Sequence, residues 1–182
     1  MEEIMEGEPA RSRAVIDMLT IANDYCLFFE GAEKYSTKDI LAYFQRIAPL
    51  LYLKGSLLPD IEVDEDVAAD RFVTEEQWES IFNILTQKLG NNAKYYVHNQ
   101  TYDTIEANLP ENMADIYQDM KDFTMQYQRN TLEAHRQAVC QLKELFPNRW
   151  GMILANAILA VHQKLHQEQL DSAVFESYDD WS

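Results

Sequence analysis

The chain has 182 residues, with 31 Asp and Glu against 15 Lys and Arg, a formal net charge of −16 and a pI near 4.5. That length suits one domain with a proper core, and 47% apolar residues is too many for a disordered chain. The acid excess argues against a nucleic-acid binder that neutralises phosphates and against docking on anionic lipid, while five Gly and five Pro leave too few turns for a many-stranded sandwich.

The N-terminus, Met1-Glu-Glu-Ile, lacks the basic and apolar regions of a signal peptide. The first helix is predicted over Arg11–Lys34, with Val15, Met18, Ala22, Tyr25 and Phe29 on one face and Leu19 and Cys26 widening it. The second opens at Ser36-Thr37, whose hydroxyls suit a helix start. Its inward face is Ile40, Phe44, Ile47 and Leu51. Pro49 predicts a kink near Ile47–Leu50, and Gly55 and Pro59 a stop. An acidic connection follows over Asp60–Phe72. Thr74 and Gln77 then have capping-box spacing ahead of a third helix, with Trp78, Ile81, Phe82, Leu85 and Leu89 inward and Gly90 as its end.

Asn92–Leu109 is long for a plain loop, and a short helix or turn is expected around Ala93–His98. The fourth helix runs from Pro110 to about Gln128, with Met113, Ile116, Met120, Phe123 and Tyr127 inward. The fifth, Thr131–Phe146, presents Leu132, Val139, Leu142 and Phe146. The sixth, about Asn148–Gln167, presents Leu154, Ile158, Val161 and Leu165. Its extra alanines make it the candidate central helix. The expected fold is all-α: a single domain over residues 1–182, a bundle of five to seven mostly antiparallel helices. Flexible acidic ends are expected over about residues 1–10 and 170–182.

Several stretches recur in a familiar order. They are Leu50-Leu-Tyr-Leu-Lys-Gly-Ser-Leu-Leu-Pro59, Ala114-Asp-Ile-Tyr-Gln-Asp-Met-Lys-Asp-Phe123, Thr131-Leu-Glu-Ala-His135, Trp150-Gly151 and Ala155-Asn-Ala-Ile-Leu-Ala-Val-His162. Together, over roughly Val15–His162, they resemble the bacterial family catalogued as domain of unknown function 5063. The resemblance implies a helical fold. It implies no activity, so no catalytic residue is carried over.

The residues themselves offer a few constellations. Glu111, Asp115, Asp119 and Asp122 fall at helical spacing, on a side roughly 120° from the apolar face. The ordinary reading is a solvated helix face, and the functional one a cation site or a docking surface for a basic protein partner. His135 sits in an inward slot, where it needs a hydrogen-bond partner or stays neutral. His162 and His166 are four apart, but Gln163 stands where a metalloprotease helix has Glu, and no Glu-x-x-His pair is present. No metal or cofactor is therefore expected. Arg149 and Trp150 open the sixth helix, where they suit either an anion site or a core anchor with a paired Arg. Phe175, Tyr178 and Trp181 stand among acids in the tail, as a short docking helix or a frayed end. Cys26 and Cys140 read as buried thiols, not as a disulfide framework.

No signature of nucleophilic catalysis or phosphate binding appears. The expectation is a non-enzymatic helical interaction domain in the cytoplasm. Its alternative is a small-molecule-binding or enzymatic bundle with a polar pocket of His135, Arg149, Asn156, His162 and Tyr117. A weaker alternative is a mimic of nucleic-acid charge. The acidity is uneven: Met1–Glu8, Asp60–Asp70, Asp103–Asp122 and Glu168–Ser182 hold 21 of the 31 acids and one base, Lys121.

Overall fold

The computed structural model describes residues 7–63 and 70–178, with side chains up to residue 167. Six α-helices and one β-hairpin follow one another in the order α1 Arg13–Glu30, α2 Thr37–Ser56, α3 Glu75–Leu89, β1 Lys94–His98, β2 Thr104–Asn108, α4 Leu109–Tyr127, α5 Leu132–Leu145 and α6 Trp150–Tyr178. The fold is mostly helical.

Helix starts follow local chemistry. Ser36 and Asp39 form a reciprocal capping box before α2, as Thr74 and Gln77 do before α3. Asn108 and Thr131 accept from backbone N–H groups of α4 and α5. Gly90 ends α3 at φ +48°, in the left-handed region that glycine tolerates. Helix α2 continues through Pro49 to Ser56, so the proline falls within one helix.

The apolar faces of α1 and α4 are buried as their spacing predicts. Val15, Met18, Ala22, Tyr25 and Phe29 meet Met113, Ile116, Met120, Phe123 and Tyr127 in one core. The buried Tyr25 hydroxyl donates to the Met113 carbonyl at 3.0 Å. The expected face of α5 is rotated. Ala134, Ala138, Val139 and Leu142 are buried, while Leu132 is exposed. Alanines at 134 and 138 take part in the face that α5 packs against α4, and Leu132 at its first turn falls outside that face.

Two further expectations are corrected. The central helix is α4, not α6: it packs against α1, α3, α5 and α6. The Ala93–His98 stretch is not helical. Lys94–His98 pairs antiparallel with Thr104–Asn108, with Tyr96 opposite Glu106. The Asn99 side chain organises the turn, its Oδ1 accepting from the N–H groups of Thr101 and Asp103, while Tyr102 holds a φ of 64°. A tyrosine there is strained. At the N-terminal side, Pro9–Arg11 forms a 3-10 turn with Ala10 fully buried. Helix α6 carries the backbone of residues 170–178.

Candidate functional site

The acidic stripe of α4 is turned into the protein. Asp119 and Asp122 are each 2% exposed. Asp122 Oδ1 accepts from the N–H groups of Phe72 and Val73 at 2.8 and 3.0 Å, and its Oδ2 from Arg71 Nη1 at 3.0 Å. Asp119 Oδ2 accepts from Arg149 Nε at 2.7 Å, and its Oδ1 from Arg71 Nη1 at 3.4 Å. Burial pushes the Asp119 carboxyl above its ordinary range, against the two guanidinium groups. Asp115 accepts from Trp78 Nε1 at 3.0 Å, and Glu111 alone of the four is exposed. The expected solvated face is thus a clamp. It fastens the end of the acidic connection, residues 71–73, to α4, and it does so because α4 is enclosed on that side too.

Arg71 had no motif to mark it, yet it is the residue that pairs both carboxylates. The expected anion site at Arg149 is filled from within. Its guanidinium binds Asp119 and, at 3.2 Å, Gln118. Trp150 beside it is fully buried and donates Nε1–H to the Leu142 carbonyl at 2.8 Å. It is a core anchor, as one of the two sequence readings had it.

His135 is half-buried. Its ring stacks on Tyr127 at 4.1 Å between centroids, and Nδ1 accepts from Arg11 Nε at 3.3 Å. Around it the N-terminal turn is fastened by the Tyr127 hydroxyl on the Ala10 carbonyl at 2.9 Å, and by Glu8 on Arg136 at 2.7 and 3.0 Å. Burial, helped by the Arg11 charge, holds the His135 pKa below its ordinary 6.5. The unfolded chain therefore takes up the proton first. The stabilisation is whole above that ordinary value and declines as pH falls through it toward the folded one. We expect the urea midpoint of the native chain to fall more between pH 7.5 and 5.5 than that of His135→Gln. Equal falls would show that His135 is not responsible.

The remaining candidates lie apart. Tyr117 donates to Glu30 at 3.0 Å, on a carboxylate shared with Lys121. His162 and His166 have ring centroids 4.4 Å apart, and His166 Nε2 meets Gln45 Nε2 at 3.1 Å. Among the described residues no three His, Cys, Asp or Glu side chains gather as a metal site. Asn156 lines a groove of about 150 Å³ between α6 and β1, with Leu159, Gln163, Tyr96, Val97 and His98. The expected pocket of His135, Arg149, Asn156, His162 and Tyr117 is not formed among the described residues: His135, Arg149, His162 and Tyr117 each meet a different neighbour, and Asn156 lines the groove. Phe175 and Tyr178 belong to the last turns of α6, but their side chains, and Trp181, lie outside the described residues.

A cleft of about 300 Å³ lies between Asp60, Glu62 and the α5 residues Cys140 and Lys143, bridged by the Lys143–Asp60 ion pair at 2.6 Å. Burial raises the Cys140 thiol above its ordinary pKa and pushes Cys26 up to about 12. Both stay protonated thiols, which are poor nucleophiles. Among the described residues no helix is long and apolar enough to cross a membrane.

Sequence and structure comparisons agree on kinship. A model of the family described as "Domain of unknown function (DUF5063)" matches residues 10–167. The crystal structure of protein BF1032 from Bacteroides fragilis, a structural genomics target, is 33% identical; the match covers 85% of this chain and 94% of that one, with a TM-score of 0.77. A search of curated proteins finds no match. The chain belongs to the DUF5063 family.

Proposed function

We propose that this chain is a non-enzymatic protein-interaction domain of the cytoplasm. One observation carries the reading. Ile16 on α1, Leu50 and Leu53 on α2, and Leu57 at the cap that ends α2 are each between 45% and 54% exposed. Leu50 and Leu53 are three apart and share one side of α2, and Leu57 follows directly after its last residue. The Lys54–Asp17 ion pair at 2.8 Å joins α2 to α1 beside them, next in sequence to Ile16. Single exposed leucines are ordinary, but a contiguous apolar patch marks a contact surface.

Less supports the other readings. The residues of the polar pocket meet different neighbours, and two acids of the α4 stripe are buried and paired, which weighs against the stripe as a docking surface or a mimic of nucleic-acid charge. Affinity capture under native conditions tests the proposal, using the wild-type chain beside the double variant Leu53→Glu, Leu57→Glu. We expect a co-purifying protein with the first and its loss with the second, at unchanged helicity by circular dichroism. Recovery of the wild-type chain alone, or equal recovery of the partner with both, contradicts it.

A further inference from the structure

The hairpin has an unused edge beside a helix. Asn99 N–H donates to the Asp103 carbonyl at 3.0 Å, and Leu109 N–H to the Ala93 carbonyl at 2.7 Å. In this register both belong to the hydrogen-bonded pairs, together with Tyr95 and Val97. Lys94, Tyr96 and His98 therefore direct their backbone groups away from β2. At Lys94 that outward edge meets α6, where its carbonyl accepts from Lys164 Nζ at 3.0 Å. Further along, strand and helix separate around the groove of about 150 Å³. There the backbone groups of Tyr96 and His98 have no partner among the described residues.

The opposite wall is one face of α6. Asn156, Leu159 and Gln163 follow at +3 and +4. Leu159 is 59% and Tyr96 67% exposed, so the groove offers an open apolar surface. Its volume is below the ~300–1,000 Å³ of small-molecule pockets. A free strand edge facing a helix is instead the arrangement that accepts an added strand, with main-chain hydrogen bonds for affinity and alternate side chains for specificity.

Charge selects the occupant. In a chain of net charge −16 none of the described residues that line the groove is an acid. Glu106, across from Tyr96, is neutralised by Lys94 at 2.9 Å. Lys164 rests on a carbonyl and pairs with no carboxylate among the described residues, and burial lowers its pKa below the ordinary value. A carboxylate arriving there supplies the missing counter-charge.

We propose that an extended acidic peptide segment of a partner protein adds as a third strand to the outward edge of β1, setting alternate apolar side chains against Leu159 and a carboxylate beside Lys164. This rests on the reading of the chain as an interaction domain, but it names a site with other residues than the α1/α2 patch. The test is selection of a random peptide library, displayed on phage, on the full chain. The recovered sequences are expected to alternate apolar and polar residues and to be net acidic. The tightest, made synthetically, is expected to weaken by at least about tenfold against Leu159→Glu, and again when its central amide is N-methylated, but by less than about twofold against Leu53→Glu. Recovered peptides that are basic or of helical period, or whose binding is indifferent to Leu159→Glu, overturn it. So does a wild-type dimer in sedimentation that Leu159→Glu dissociates, since a second copy then fills the groove. Peptides lost with Leu53→Glu but kept with Leu159→Glu overturn the groove and leave the interaction domain standing.

Discussion

Replacing Asp122 with alanine is expected to destabilise the chain by about 3–5 kcal/mol. Its carboxylate is 2% exposed and holds three donors: two adjacent backbone N–H groups, of Phe72 and Val73, and the Arg71 guanidinium. Val73 is itself buried, so its N–H finds no water when the acceptor goes. Each hydrogen bond to a charged acceptor is worth about 1.5–3 kcal/mol, and an orphaned buried donor adds its desolvation penalty. Asp122→Asn keeps one acceptor oxygen for the backbone and is expected to cost less than half as much. Glu111→Ala, on the same side of α4 but exposed, is expected to stay within about 1 kcal/mol. Urea denaturation monitored by circular dichroism separates the three. Equal costs for Asp122 and Glu111 would mean that the stripe is a solvated face after all.

Trp150→Ala is expected to cost about 3–5 kcal/mol, since truncating a fully buried indole leaves a cavity and frees the Leu142 carbonyl. The indole packs against Gly55 of α2, and the absence of a side chain there makes that approach possible. A Cβ on Gly55 would stand 2.1 Å from Trp150 Cη2 and 2.9 Å from Cζ3, with Phe146 at 3.0 Å on the same side. Gly55→Ala is therefore expected to cost about 1–3 kcal/mol by overpacking, although alanine favours a helix. The two sites are coupled. In a Trp150→Phe background, where the far ring of the indole is gone, Gly55→Ala is expected to be nearly neutral. Additive costs would show that the glycine is not shaped by the tryptophan.

Periodicity made the helices legible because each buries one apolar stripe, and the Ser36 and Thr74 caps are read from a few adjacent residues. The hairpin was hidden by its length. Tyr95, Tyr96 and Val97 favour a strand, as do Thr104 and Ile105, but five residues a side give little alternation, and an Asn99-centred turn lacks the glycine that usually marks one. The centrality of α4 was hidden by its acids. A helical wheel sends Asp119 and Asp122 to water, and only the tertiary pairing with Arg71 and Arg149 brings them inside. The groove was unreadable for the same reason: Asn156 was singled out, but its partners Tyr96 and Val97 lie on a hairpin about sixty residues earlier in the sequence.

The proposed function requires that exposed apolar side chains, and not the abundant acids, recruit a partner. Quantified affinity capture from native lysate tests it, with the double variant Leu53→Glu, Leu57→Glu compared against Glu111→Lys. The partner captured by the wild-type chain is expected to be lost with the apolar variant and retained with Glu111→Lys. Retention by the apolar variant, or loss with Glu111→Lys, would contradict it.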